Sequence, residues 1–206
     1  MRYFKIVSSV VDGPGERAVL FVQGCPLACD GCQNKHLWPE RTPDTLVASS
    51  RDLAVRLVAL NPRAVTLSGG EVFEQLHGLV SLVEWLRVFS PGIHITVYSG
   101  YTWEELQAKA KASAVDGRAI RRVLAEIDIL VDGRFVRSLD NAFLSWRGST
   151  NQRPINVPAT LESGQIVTHD WSKPVVVFAP EASYAPIGMA QVLGKGEATR
   201  RCGQTK

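Results

Sequence analysis

The chain has 206 residues, 45% hydrophobic and 21% charged, with a net charge of +3. That size and balance suit one soluble globular domain, 1–206, with a sizeable core, and the charge is too small to argue for nucleic acid as a partner. No apolar run reaches a membrane span, the stretch Met1 to Lys5 lacks a signal-peptide core, and the four cysteines form no secretory disulfide pattern, so a reducing, cytoplasmic setting is expected.

In chain order, Ala18 to Gln23 is a short apolar run ending at a glycine and predicts a buried strand. Thr42-Pro43-Asp44 predicts a helix start, with Leu46, Leu53, Leu57 and Leu60 recurring at helical spacing up to Asn61-Pro62. Ala64 to Leu67 predicts a second strand, ended by Gly69-Gly70. Leu76, Leu79, Val80, Val83 and Leu86 line one face of the next helix, which Ser90-Pro91-Gly92 stops. Ile93 to Tyr98 predicts a third strand, and Thr102 with Glu105 a capping box. Ile120, Val123, Leu124 and Ile127 continue a helical stripe. Ile127 to Val131 predicts a fourth strand, Pro174 to Phe178 a late one, and residues 194–206 a polar, basic, frayed tail. Regular strand–helix alternation favours parallel βαβ units.

The chemistry falls on this pattern. Cys25, Cys29 and Cys32 are spaced C-x3-C-x2-C directly after the first predicted strand. A closed structural zinc site or a fully ligated iron–sulfur cluster takes four protein ligands. Three thiolates leave one metal position open for a small molecule. A [4Fe–4S] cluster with one free iron fits this best. Zinc held by the three cysteines and His36, or a catalytic zinc with three protein ligands, is the alternative on spacing alone, and a zinc-binding interaction module would follow from it. Ser68-Gly69-Gly70, Ser99-Gly100 and Asp132 also come just after predicted strands. In α/β sheets ligands bind off the carboxyl ends of the strands, so four motifs converge on one edge.

These stretches together resemble the radical S-adenosylmethionine (SAM) superfamily, and within it the glycyl-radical-enzyme activases, in particular the activators of anaerobic ribonucleotide reductase. The resemblance is carried by Val11 to Arg17 with Phe21 to Cys32, by Leu67 to Glu71, by Val97 to Tyr101, and by Asp128 to Phe135 with Trp146 to Arg153. It covers roughly residues 3 to 157. It implies a single-domain partial (βα)6 barrel and one [4Fe–4S] cluster per chain on Cys25, Cys29 and Cys32. Gly31, Cys32 and Gln33 would lie against SAM beside the cluster, and Ser68, Gly69, Gly70 and Glu71 would form the loop that holds the SAM ammonium. The proline that usually follows this loop is replaced by Val72. Ser99, with Tyr101 nearby, would contact the adenosine, and Asp132 would accept bonds from the ribose or set the polarity of the site. Glycine at position 70 is explained by backbone approach to the ligand, so a bulky residue there is expected to weaken SAM binding and spare cluster assembly.

The implied reaction is reductive cleavage of SAM with an electron from a donor such as a flavodoxin. The 5′-deoxyadenosyl radical then takes a Cα hydrogen from a glycine of the partner, the large subunit of anaerobic (class III) ribonucleotide reductase. An activase for another glycyl radical enzyme such as pyruvate formate-lyase, or a small-molecule enzyme such as a 7-carboxy-7-deazaguanine synthase, is the alternative. The polar stretch Arg147 to Arg153 argues against the last and is expected to meet the partner. Arg17 is expected to anchor the Gly13–Gly15 turn as a lid over the cluster, and Trp38 to shield the cluster from oxygen. Cys202 is expected to be an incidental thiol.

Overall fold

The computed structural model describes residues 1–170. Seven strands form one sheet in the order β3-β1-β2-β4-β5-β6-β7. They are β1 (Arg2–Ser9), β2 (Arg17–Val22), β3 (Leu46–Val47), β4 (Ala64–Gly69), β5 (His94–Tyr98), β6 (Ile129–Asp132) and β7 (Arg153–Asn156). The helices are α1 (Ser50–Leu60), α2 (Leu76–Phe89), α3 (Trp103–Ala112), α4 (Ala114–Glu126) and α5 (Val157–Ser163).

The four central strands, β2, β4, β5 and β6, are parallel, joined by α1, by α2, and by α3 with α4. The α/β expectation holds for this part. Among the described residues the sheet is open and does not show the six parallel βα units of the expected partial (βα)6 barrel, because both of its ends are antiparallel: β1 on β2, β3 on β1, and β7 on β6. The reason lies in the connections. A parallel neighbour needs a crossover of a dozen or more residues, usually helical. Residues 10–16 are only a turn between β1 and β2, and residues 133–152 hold a single 3-10 turn, so both connections return the chain antiparallel.

The helix expected from Thr42 starts later. Thr45 and Thr42 form a turn instead, with the Thr42 N–H donating to Thr45 Oγ1 at 2.7 Å. Leu46 and Val47 then pair with β1. The cap is Ser49, whose hydroxyl accepts the Asp52 N–H. The capping box at Thr102 forms as read. Ser113 splits the following helical stretch into α3 and α4, capping α4 through the Asp116 N–H. The late strand at 174–178, the 194–206 tail and Cys202 lie outside the described residues.

Alternation along the strands separates two faces. Leu20, Val22, Val65, Leu67, Ile95, Val97 and Leu130 meet Leu53, Leu57, Leu79, Val83, Leu106, Ile120 and Val123 of the helices in the main core. The other face carries Arg17, Thr66 and Thr96, all fully buried. Arg17 donates to Thr66 Oγ1 (2.7 Å), Pro14 O (2.9 Å), Val65 O (2.7 Å) and Thr96 Oγ1 (3.0 Å). Burial holds this guanidinium below its usual range, at about 10. Arg17 therefore does anchor the 10–16 turn, as expected, but it opens β2 while the cysteines follow the end of that strand. The turn caps the starting half of the strands, and the lid role over the cysteines is corrected accordingly.

Candidate metal centre

Cys25, Cys29 and Cys32 lie in the loop after β2, all half-buried and none in a disulfide. Burial is the leading influence on the Cys25 and Cys29 thiols and pushes both up. Nearby backbone amides oppose it and hold the thiols down, those of Leu27 and Ala28 at Cys25 and that of Phe135 at Cys29. The Asn34 N–H donates to Cys32 Sγ at 3.4 Å. Amides aimed at sulfur suit thiolates that carry a cluster, whose potential depends on such bonds. Three thiols outside any disulfide, with backbone amides beside them, thus fit a cluster ligand set. Among the described residues no three His, Cys, Asp or Glu side chains are gathered tightly enough to hold a single metal ion. His36 is exposed, and its ring meets Phe4 edge-on with centroids 5.2 Å apart.

The other three motifs close around this loop. Glu71 N–H donates to the Gly24 carbonyl at 2.8 Å, and Gly70 N–H to that of Val22 at 2.9 Å. A Cβ on Gly70 would stand 2.3 Å from the Gly24 oxygen, and one on Gly69 (φ +105°) would stand 2.6 Å from the Val22 nitrogen. Glycine at 70 is thus required by a neighbouring backbone, that of the residue preceding Cys25. The expectation that bulk at Gly70 would spare cluster assembly is corrected by this contact. Leu27 packs where a Cβ on Gly100 would be, at 2.3 Å. Gly31 lies under the Phe135 ring, where a Cβ would come within 2.9 Å. Ser68, next to last in β4, is half-buried, and Gln33 is exposed.

Glu71 is buried and bridges two motifs. Its carboxylate accepts from Ser99 Oγ (3.0 Å), the Gly100 N–H (2.8 Å) and the Phe73 N–H (3.1 Å). Burial outweighs these bonds and pushes its carboxyl up to about 7. Ser99 Oγ also accepts the Tyr101 N–H, and Tyr101 donates its own hydroxyl to Glu74 at 2.6 Å.

Asp132 is fully buried at the same edge. It accepts from the Trp103 N–H (2.7 Å) and from Arg153 Nε (3.0 Å) and Nη2 (2.6 Å). Arg153 reaches on to Glu104. Both carboxylate oxygens are therefore engaged within the protein, and Asp132 joins β6, β7 and the start of α3.

The stretch expected to meet a partner is tied inward. Gln152 Oε1 accepts the Gly148 and Ser149 N–H groups, and its Nε2 donates to Gly133 O at 3.0 Å. Asn151 donates to Arg134 O, Arg147 to Gln152 O, and buried Ser149 accepts the Val136 N–H. These polar groups bind the stretch to the loop after β6. The sequence reading missed Leu27 and Phe135, whose only signal is an apolar residue beside a motif glycine. Trp38 sits beside the site, with its carbonyl accepting the Cys25 N–H at 3.0 Å.

Comparison with known proteins gives a consistent result. Residues 11–155 match a family model described as a 4Fe-4S single cluster domain. The anaerobic ribonucleoside-triphosphate reductase-activating protein of Escherichia coli (strain K12) is 34% identical over 148 residues, which span 69% of this chain and 90% of that protein. Its Salmonella typhi counterpart is 33% identical over 163 residues, 74% of this chain and 96% of that protein. The protein of the same name from Enterobacteria phage T4 is 31% identical over 146 residues, 69% of this chain and 85% of that protein.

Proposed function

The chain belongs to the anaerobic ribonucleoside-triphosphate reductase-activating protein family and carries its 4Fe-4S domain, and from that premise we propose that it is a radical SAM activase of an anaerobic ribonucleotide reductase. The observation that carries the reading is the interlock of four loops at one sheet edge, with Gly70 on Gly24, Leu27 on Gly100 and Phe135 on Gly31. Cys25, Cys29 and Cys32 hold one [4Fe–4S] cluster. When bound, that cluster supplies the electron that splits SAM into methionine and a 5′-deoxyadenosyl radical, the species that takes a glycine hydrogen from the reductase.

The chain's own residues position and exclude. The half-buried loop at Ser68, Gly69 and Gly70 presents backbone to the methionine end of SAM. Glu71 fixes that loop against Ser99 and Gly100, so the SAM loop and the adenosine side move as one unit. Asp132, through Trp103 and Arg153, sets the floor of the same edge. Gly31 and Gln33 flank Cys32, Gly31 under the Phe135 ring and Gln33 open to solvent. No side-chain acid or base is needed, because the bond broken in the partner is C–H and the hydrogen leaves as an atom. A small electron carrier such as a flavodoxin supplies the reducing equivalent, and the setting is the cytoplasm. Among the described residues no helix is long and apolar enough to cross a membrane.

The test is electron paramagnetic resonance of a purified candidate reductase after anaerobic incubation with this protein, SAM and dithionite. A glycyl radical that needs all three components is expected. SAM cleavage with no radical on any anaerobic reductase offered would remove the reading.

A further inference from the structure

Phe135, the third residue after β6, is seated between two glycines. A Cβ on Gly31 would stand 2.9 Å from its Cε1. A Cβ on Gly148 would stand 2.9 Å from its Cδ2 and 3.1 Å from its Cε2. Opposite edges of one ring therefore touch two segments. One is residues 29–32, which carry two of the three thiols; the other is the return arm of the loop between β6 and β7. Gly31 has φ +77°, a conformation that favours glycine by itself. Gly148 is not in that region, and the atoms nearest its missing Cβ are those of the ring. The ring is half-buried, so it fills a gap that would otherwise open to water. The backbone beside it is held without it: Asn151 Nδ2 donates to Arg134 O at 2.9 Å, and the Val136 N–H donates to Ser149 Oγ at 3.2 Å. The Arg134–Phe135 peptide, whose N–H lies at Cys29, thus keeps its place when the ring is cut back.

We infer that Phe135 is a positioning residue for the reductive chemistry: its ring, wedged between Gly31 and Gly148, keeps water from the Cys29–Cys32 side of the cluster and so keeps the cluster strongly reducing and its iron in place. The inference rests on the cluster assignment made above. A cluster gains negative charge when it is reduced. Water reaching its sulfurs stabilises that charge and raises the potential, and an apolar wall does the opposite. Splitting a sulfonium needs a strongly reducing electron, so a dry wall against the ligand loop serves the reaction. The polar residues 147–152, which sequence alone points to as a partner surface, gain a second use here. Their hydrogen bonds to the loop after β6 fix Gly148 as the outer wall of the ring's seat.

The experiment compares reconstituted wild type, F135A, F135L, G148A and the double variant F135A/G148A. Two quantities are read under argon: the cluster midpoint potential, from a redox titration followed by electron paramagnetic resonance, and the rate at which EDTA removes iron. In F135A the potential is expected to shift upward and iron release to quicken about tenfold. F135L, which fills much of the gap, should stay nearer to wild type. G148A presses on the ring from the far side and should move both readings in the direction of F135A. The double variant should go no further than F135A, because both changes act through one ring. A wild-type potential and release rate in F135A overturn the inference. So does a downward shift, which would mean that a hydrogen bond to sulfur was lost and no water admitted. Multiplying effects in the double variant would also overturn it, since Gly148 would then act by another route. Should F135A not hold about four irons per chain, G148A decides by the same two readings. If the wild type itself assembles no four-iron cluster, the cluster assignment fails and this inference falls with it.

Discussion

Replacing Gly70 with alanine is expected to destabilise the fold and release iron together. The new Cβ would lie 2.3 Å from the Gly24 oxygen, whereas ordinary contact begins at 3.4 Å. The difference, about 1.1 Å, has to be met by parting two backbone segments, because no flexible side chain stands between them. That movement takes the 2.8 Å bond from the Glu71 N–H to the Gly24 carbonyl beyond hydrogen-bonding range. The lost bond costs about 1 kcal/mol and the overpacking about 1–3 kcal/mol. Together they come to about 2–4 kcal/mol, a fall in Tm of about 4–16 °C for a chain of this length. Gly24 immediately precedes Cys25, so the displaced segment also carries a thiol of the site. The assay is thermal unfolding of the iron-free protein, with iron per chain after anaerobic reconstitution. G92A is the control, since a Cβ there meets no atom within 4 Å. Wild-type Tm and full iron in G70A would refute the argument that the two loops are packed backbone to backbone.

Further outcomes are expected. Alanine at Cys25, Cys29 or Cys32 should abolish reconstitution to about four irons per chain, while C202A should keep it; iron loss in C202A would end the three-thiol assignment. D132N should lower the unfolding free energy in urea by about 2–4 kcal/mol, because it leaves Arg153 and the Trp103 N–H poorly matched at a buried site, and an unchanged free energy would show that the Arg153 pair contributes nothing. Glu71, with its carboxyl raised to about 7 from 4.5, holds a proton in the folded state that the unfolded chain gives up. Stability of the iron-free protein should therefore fall as pH rises from about 4.5 to about 7, by on the order of 3 kcal/mol from this group. E71Q should flatten that slope, and an equal slope in both proteins would contradict the burial argument.

The alternation of strands and helices was readable because the apolar runs of β2, β4, β5 and β6 are buried, Phe21 excepted, and bounded by glycine or proline. That alone put the four motifs at one edge. The edge strands were not readable in the same way. β1 alternates only loosely, and β3 is two exposed residues paired with it. The place of β3 depends on pairing with the distant Arg2 and Tyr3, which leaves little periodic trace. Thr42-Pro43-Asp44 carries a good start signal, but the stronger cap at Ser49 lies closer to the apolar stripe it serves. At the site, residue types showed where chemistry is located and not which partner each group has chosen. Gly70 faces Gly24, a residue 46 positions earlier, and Asp132 faces Arg153. Such contacts are tertiary, so the sequence showed the need for glycine and for a carboxylate without showing what imposed it.

The most direct measurement of the central claim uses a reductase grown with glycine deuterated at Cα, incubated anaerobically with this protein, SAM and dithionite. The account predicts a glycyl radical on the reductase and one deuterium in the 5′-deoxyadenosine formed alongside it. A radical accompanied by 5′-deoxyadenosine free of deuterium would contradict direct hydrogen abstraction at this site.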